Sequence, residues 1–123
     1  MKLTILGCSE SSGVPRIGCE CAVCVSENPK NIRTRNSVLI EQGETRILVD
    51  TSPDLRQQAL REGITAIDAV VYSHAHADHM HGIDDIRSFN AAYGGVIPAY
   101  SDKASLDYLQ HSFAYVFNTP PEE

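Results

Sequence analysis

The chain runs an apolar segment, Ala69-Val70-Val71-Tyr72, straight into Ser73-His74-Ala75-His76-Ala77-Asp78-His79, and this junction constrains the fold more than any other feature. The apolar run reads as a buried strand. Four candidate metal ligands, His74, His76, Asp78 and His79, occupy six positions directly after it. A catalytic metal needs neutral imidazoles and carboxylates that converge on one point and leave coordination positions open. His74 and His76 stand two apart where the strand ends, so in extended backbone they project to the same side and can chelate one ion. Asp78 and His79 follow after the turn and can hold a second ion beside the first. Such a pair generates a hydroxide near neutral pH and stabilises an anionic transition state. A solvated loop that is His-rich by accident explains neither the spacing nor the strand-end placement.

The remaining pattern alternates short strands and helices, which gives an α/β class. Residues 2–6 form a first strand. Residues 7–35 are rich in Gly, Ser, Pro, Cys and Asn and read as a long irregular loop of the kind that holds a metal or serves a site. Residues 37–41 and 45–50 flank Gln42-Gly43-Glu44 as a hairpin. Ser52-Pro53-Asp54 starts a helix, with Ser52 as cap, Pro53 in the first turn and Gly63 closing it, and with Leu55, Ala59 and Leu60 facing a sheet. Strands over 66–72 and 96–100 and a helix over 102–117 complete the expectation, and the polar tail Pro120-Pro121-Glu122-Glu123 carries no element signal.

With 123 residues, a formal charge of −6 and 42% hydrophobic residues, the composition is that of a globular chain of one domain at most. The apolar run in residues 1–7 is too short for a signal-peptide core or a membrane span, so a cytoplasmic protein without a membrane partner is expected. The acidic balance disfavours nucleic acid as a partner, since non-specific binding draws on many Lys and Arg contacts. Of four cysteines, Cys19, Cys21 and Cys24 crowd into a C-x-C-x₂-C spacing that can place three thiolates on one zinc ion. The alternative for them is surface thiols or a redox pair.

The sequence His74-Ala75-His76-Ala77-Asp78-His79 resembles the H-x-H-x-D-H signature of the metallo-β-lactamase superfamily. Leu6-Gly7-Cys8, Gly13-Val14-Pro15, Leu48-Val49-Asp50-Thr51-Ser52-Pro53-Asp54 and Gly82-Ile83-Asp84-Asp85-Ile86-Arg87 resemble the branch of the carbon-phosphorus lyase accessory phosphodiesterases. The resemblance implies half of an αββα sandwich with a mixed sheet and flanking helices. It implies two divalent ions, zinc or manganese, with His74 and His76 on the first and Asp78 and His79 on the second. Asp78 also orients or deprotonates the attacking water in this comparison. A structural zinc on Cys19, Cys21 and Cys24, and a small phosphodiester or cyclic phosphate substrate, are implied as well. In the branch a C-terminal histidine completes the zinc set; Cys8 and His111 are poor substitutes here.

The superfamily's usual domain is about twice this length, and its further histidines and bridging aspartate have no counterpart after His111. Residues 1–123 are therefore expected to be a partial domain, with 7–35 as the Cys-rich metal loop and 73–87 as the metal-motif loop. Such a half should self-associate or meet a complementary chain through an uncovered sheet face. Two functions follow, a metal-dependent phosphodiesterase (or its half) and a non-catalytic zinc-binding module.

Other residues carry two readings each. Asp50 is either a partner of a metal-bound imidazole or a cap for the following helix. Ser11, Ser12 and Gly13 fit an ordinary turn better than a phosphate cradle. Lys30, Arg33 and Arg35 fit a solvated face better than a substrate greeting. Asp84, Asp85 and Arg87 read as structural, His81 as a surface or supporting residue, and His111 as a helix-face histidine.

Overall fold

A computed structural model describes residues 1–118, so the expectation for 120–123 lies outside the described residues. Five strands, β1 (Lys2–Gly7), β2 (Ser37–Gln42), β3 (Thr45–Val49), β4 (Ala69–Val71) and β5 (Ala99–Tyr100), form one sheet in sequence order. The β1–β2 and β2–β3 pairs are antiparallel, while β3–β4 and β4–β5 are parallel, so the sheet is mixed as expected.

Register separates the two faces. Thr4, Leu39, Leu48, Val70 and Ala99 lie in one row across the sheet. Leu39, Leu48 and Val70 in that row are buried, and they pack with Leu55 and Ala59 of helix α1 (Leu55–Glu62), Met80 of α2 (Ala77–Met80), Phe89 of α3 (Arg87–Tyr93) and Leu109 of α4 (Lys103–Ser112). Each of the Leu, Val, Met and Phe side chains among them contributes about 1.5–3 kcal/mol relative to exposure. The flanking rows, Leu3-Ile40-Ile47-Ala69 and Ile5-Val38-Val49-Val71-Tyr100, point to the opposite face. None of those nine residues belongs to the buried core, and Leu3, Ile5 and Tyr100 are each more than half exposed. One face of the sheet is thus covered by helices and the other is apolar and open.

Several element boundaries differ from the sequence expectation. Helix α1 begins after Asp54, and Ser52 lies outside it, accepting from the Asp54 amide and donating to Gln58. Leu60 is 66% exposed, because only Leu55 and Ala59 of that trio fall on the sheet side of the helix. Gly63 closes α1 as expected, in the left-handed conformation (φ 64°) that lets the chain reverse. The strand expected over 66–72 shrinks to Ala69–Val71, since Asp68 turns its carboxylate onto the Arg46 amide. That expected over 96–100 shrinks to Ala99–Tyr100, where Pro98 has no amide to give the ladder. The last helix breaks at Phe113 into α4 and α5 (Ala114–Asn118).

The long loop is pinned rather than free. Ser9 bridges to Arg35 and Val14 to Arg33, drawing its two ends together, and a single 3₁₀ turn over Pro29–Asn31 interrupts it. No helix among the described residues is long and apolar enough to cross a membrane.

Candidate metal centre

The parallel strands β3 and β4 end side by side, and the residues that follow them build the site. Asp50, directly after β3, has φ 60° and is 5% exposed. A non-glycine residue in that left-handed region is uncommon, and Asp is among the few that tolerate it. The conformation aims its carboxylate at the segment after β4. One oxygen accepts from the Ser73 amide at 2.7 Å, and the other from the Ser73 hydroxyl at 2.7 Å. That second oxygen also lies 2.7 Å from Nδ1 of His79. Of the two roles open to Asp50, the structure therefore shows contact with a motif imidazole; α1 makes no side-chain cap at its start.

For neutral rings, as metal ligands must be, these partners assign the tautomers by elimination. With the Asp50 carboxylate as acceptor, His79 Nδ1 donates and Nε2 keeps its lone pair. The Ser73 proton goes to Asp50, so its oxygen accepts from His74 Nδ1, 2.9 Å away, and His74 Nε2 keeps its lone pair too. His74 Nε2 faces Nδ1 of His76 at 3.0 Å, and His79 Nε2 stands 3.4 Å from the Asp78 carboxylate. The ring centroids of His74 lie 4.5 Å from His76 and 4.1 Å from His79. Burial pushes the Asp78 carboxyl up, but the Ser11 hydroxyl, its own amide and the electrostatic influence of the adjoining His79 and His76 rings together hold it below the usual carboxylate range.

The backbone beneath is equally determined. Thr51 and Ser52 are fully buried. The Thr51 amide donates to His79 O at 2.8 Å, its carbonyl accepts from the Gly82 amide at 3.0 Å, and its hydroxyl reaches Met80 O at 3.1 Å. Gly82 sits so close that a Cβ there would stand 1.9 Å from Ser52 O. The sequence Asp50-Thr51-Ser52 thus grips α2 and the turn after it.

The four motif residues come together in one cluster, with His74 facing His76, His79 facing Asp78, and the His74 ring closer to His79 than to His76. Ring nitrogens and a carboxylate gathered at hydrogen-bond distance, on rings oriented by a carboxylate and a hydroxyl, are donor types that divalent zinc or manganese takes. Each pair supplies two donors of the four or more such ions take. Among the described residues, one group of three ligand atoms lies mutually within 4.8 Å, and it is Cys19, Cys21 and Cys24. Neither Cys8 nor His111 joins it. Cys21 is exposed, and its thiol is lowered to about 7, first by the Cys24 amide and then by the Cys19 and Cys24 thiols. The Arg16 amide pulls the Cys24 thiol down, but the Cys19 thiol, burial and Cys21 outweigh it and the net direction is up. Three thiols gathered this closely match a thiolate set for zinc.

Elsewhere the outcome is mixed. Ser11 stands in a turn, as expected, yet its hydroxyl also donates to Asp78 at 2.9 Å. Arg35 is neither a solvated face nor open to a substrate, since it grips both oxygens of Asp54 at 2.8 and 2.9 Å. Lys30 and Arg33 line a shallow cleft with Arg61, away from the motif. Asp84 accepts the Tyr115 hydroxyl and ties α5 to the motif loop. His81 is exposed and meets Phe113 edge-on at 5.4 Å. Ser73 has no predicted role in the sequence, where an ordinary Ser beside a histidine carries no signal of its own.

Residues 45–123 match the family model described as "Beta-lactamase superfamily domain". An octanoyltransferase of Porphyromonas gingivalis is 43% identical over 98% of this chain, which covers 24% of that protein. A solved diphosphatase of the PhnP family superposes with a TM-score of 0.90 at 48% identity, over 94% of this chain and 46% of that one. Zinc-bound PqqB of Methylobacterium extorquens superposes at 0.74 with 27% identity, over 90% of this chain and 40% of that one. The chain therefore spans between a quarter and a half of the length of these relatives.

Proposed function

This chain belongs to the beta-lactamase superfamily domain family, and from that premise we propose that it contributes His74, His76, Asp78 and His79 to a dinuclear hydrolytic centre acting on a phosphodiester or cyclic phosphate. The observation that carries the proposal is the pairing of ring nitrogens and carboxylate at 3.0 and 3.4 Å on rings oriented by Asp50 and Ser73. Likeness to a PhnP-family diphosphatase favours phosphorus–oxygen bond cleavage over other hydrolyses in this diverse family.

Two divalent ions, zinc or manganese, would lower the pKa of a water and offset charge developing on the phosphoryl oxygens. The chain's own residues do the rest. Asp50 fixes the His79 ring and Ser73 the His74 ring, so both present Nε2 to the site without a search over rotamers. Asp78 holds an ionised carboxylate at the mouth, placed to orient the attacking water and take its proton. Cys19, Cys21 and Cys24 hold a structural zinc that stiffens the 7–35 loop. The open apolar face of the sheet would receive a partner, either a complementary half-domain or a second copy of this chain.

The test is hydrolysis of bis-p-nitrophenyl phosphate and of an organic diphosphate with added Zn²⁺ or Mn²⁺. Turnover that His76→Ala and Asp78→Ala both abolish supports the site. Equal turnover by all three proteins removes hydrolysis from this motif. Zinc bound by the cysteines with no turnover, even beside a complementary half-domain, supports the other reading, a non-catalytic zinc module.

A further inference from the structure

Gln58, in the first half of α1, is fully buried, and its side-chain amide joins two segments that meet at the metal motif. A carbonyl only accepts, so the contact at 2.8 Å with Arg35 O identifies Nε2 and fixes the amide's orientation. Nε2 also reaches Thr34 Oγ1 at 3.0 Å, and Oε1 accepts from the Ser52 hydroxyl at 3.1 Å. Ser52 adjoins Thr51, which grips α2 from beneath through His79 O and Met80 O. On the other side, the Ser9 amide donates to Thr34 O at 3.0 Å, and Val14 and Arg33 exchange backbone bonds at 2.9 and 2.8 Å. Residues 9–14 are therefore tied at both ends to residues 33–35, and their tip delivers the Ser11 hydroxyl to Asp78. The fit is tight: a Cβ on Gly7 would stand 2.6 Å from Gln58 Nε2 and 2.0 Å from Arg35 O.

We infer that Gln58 is a positioning residue, whose amide sets the distance between the motif and the 9–14 loop and so holds Ser11 over Asp78. A hydrophobic side chain of similar length would preserve the packing of α1 but deprive Arg35 O of its Gln58 donor and the Ser52 hydroxyl proton of its acceptor, leaving that hydroxyl with the Asp54 amide alone. The loop would then lose its anchor while the sheet and α2 kept theirs. The inference rests on the proposed metal centre only in its last step, from Ser11 to Asp78.

The experiment is amide hydrogen exchange by NMR on the full chain, wild type against Gln58→Met, with Thr34→Val as a milder cut in the same link and exposed Gln57→Met as the control. Exchange of the Ser9 and Val14 amides should accelerate about tenfold or more in Gln58→Met, which is the loss of about one buried hydrogen bond. Thr34→Val should move them less, and Gln57→Met and the β2–β3 amides should not change. Added Mn²⁺ supplies a second readout. In wild type it should broaden the signals of His74, His76 and residues 11–12 together, and in Gln58→Met the histidines should still broaden while residues 11–12 escape. Unchanged loop exchange in Gln58→Met, or acceleration spread evenly over the chain, overturns the inference. Absence of histidine broadening in wild type counts against the metal centre alone, and the exchange data still decide Gln58.

Discussion

Substituting Asp50 should separate the two things this residue does, hold a strained backbone and accept three hydrogen bonds. Its carboxylate receives the Ser73 amide, the Ser73 hydroxyl and His79 Nδ1, each at 2.7 Å. At about 1 kcal/mol each for the net loss, Asp50→Ala forfeits about 3 kcal/mol. At φ 60° alanine pays a further cost of about 1 kcal/mol that Asp, Asn and Gly largely escape. The expected order is therefore Asn, losing about 1–2 kcal/mol, then Gly at about 3, then Ala at about 4. Against a total stability of about 5–15 kcal/mol, these steps are large enough to resolve. Urea unfolding followed by far-UV circular dichroism gives the midpoints at a common slope. The inversion of Gly and Ala is the sensitive feature, because glycine is ordinarily the worse of the two by about 0.5–1 kcal/mol. An Asp50→Gly chain less stable than Asp50→Ala would refute the backbone argument, and an Asn variant as damaged as Ala would refute the hydrogen-bond argument.

Further predictions test other parts of the account. Gly82→Ala places a methyl group 1.9 Å from Ser52 O and should cost about 3 kcal/mol or more. Gly95→Ala meets nothing within 4 Å and should be close to neutral by the same urea assay; similar losses in both would contradict the packing argument. The Arg35 guanidinium, against the opposing effect of burial, holds the Asp54 carboxyl below its ordinary value. That pair's stabilisation is fully present above the unfolded value of about 3.9 and is lost as pH falls through the lower folded value. The gap between wild type and Asp54→Asn, about 1.5–3 kcal/mol at pH 7, should close toward pH 2; a gap that is constant with pH refutes the ionic origin. Iodoacetamide should label Cys21 with a half-maximal rate near pH 7, and zinc should suppress the reaction. A midpoint near the ordinary thiol value of about 8.5 would show that the neighbouring amides and thiols do not favour its thiolate. If the open sheet face drives self-association, Leu3→Ser with Ile5→Ser should shift sedimentation toward monomer, and an unchanged distribution would place the contact elsewhere.

Local chemistry was legible in the sequence where one residue type had one job. The hairpin followed from Gln42-Gly43-Glu44, the C-terminus of α1 from Gly63, and the parallel strand leading to the histidines from its apolar run. Relations between distant segments were not legible. Ser73 is ordinary until the left-handed Asp50 is seen to reach it from β3, 23 residues earlier. Arg35 reads as surface charge until α1 brings Asp54 against it. Gln58 looks like one more polar helical residue, and only burial shows that it faces inward. Ser52 was expected to cap α1 because Ser before Pro and Asp fits that role, but Asp54 takes the cap position and the Ser52 hydroxyl donates instead to Gln58 within the helix. The His74 and His76 rings face one another across a bend at Ala75, not along the plain extended strand that was expected.

The central claim, that His74 and His76 form one ion site and Asp78 and His79 another, is tested most directly by calorimetric titration of Zn²⁺ into the chain carrying Cys19→Ser, Cys21→Ser and Cys24→Ser. The account predicts that this chain, with Cys8 as its one remaining thiol, still binds zinc, that adding His76→Ala weakens binding at the first site, and that adding Asp78→Ala weakens it at the second. Loss of all zinc binding with the three cysteines, or binding that neither further substitution alters, would contradict it.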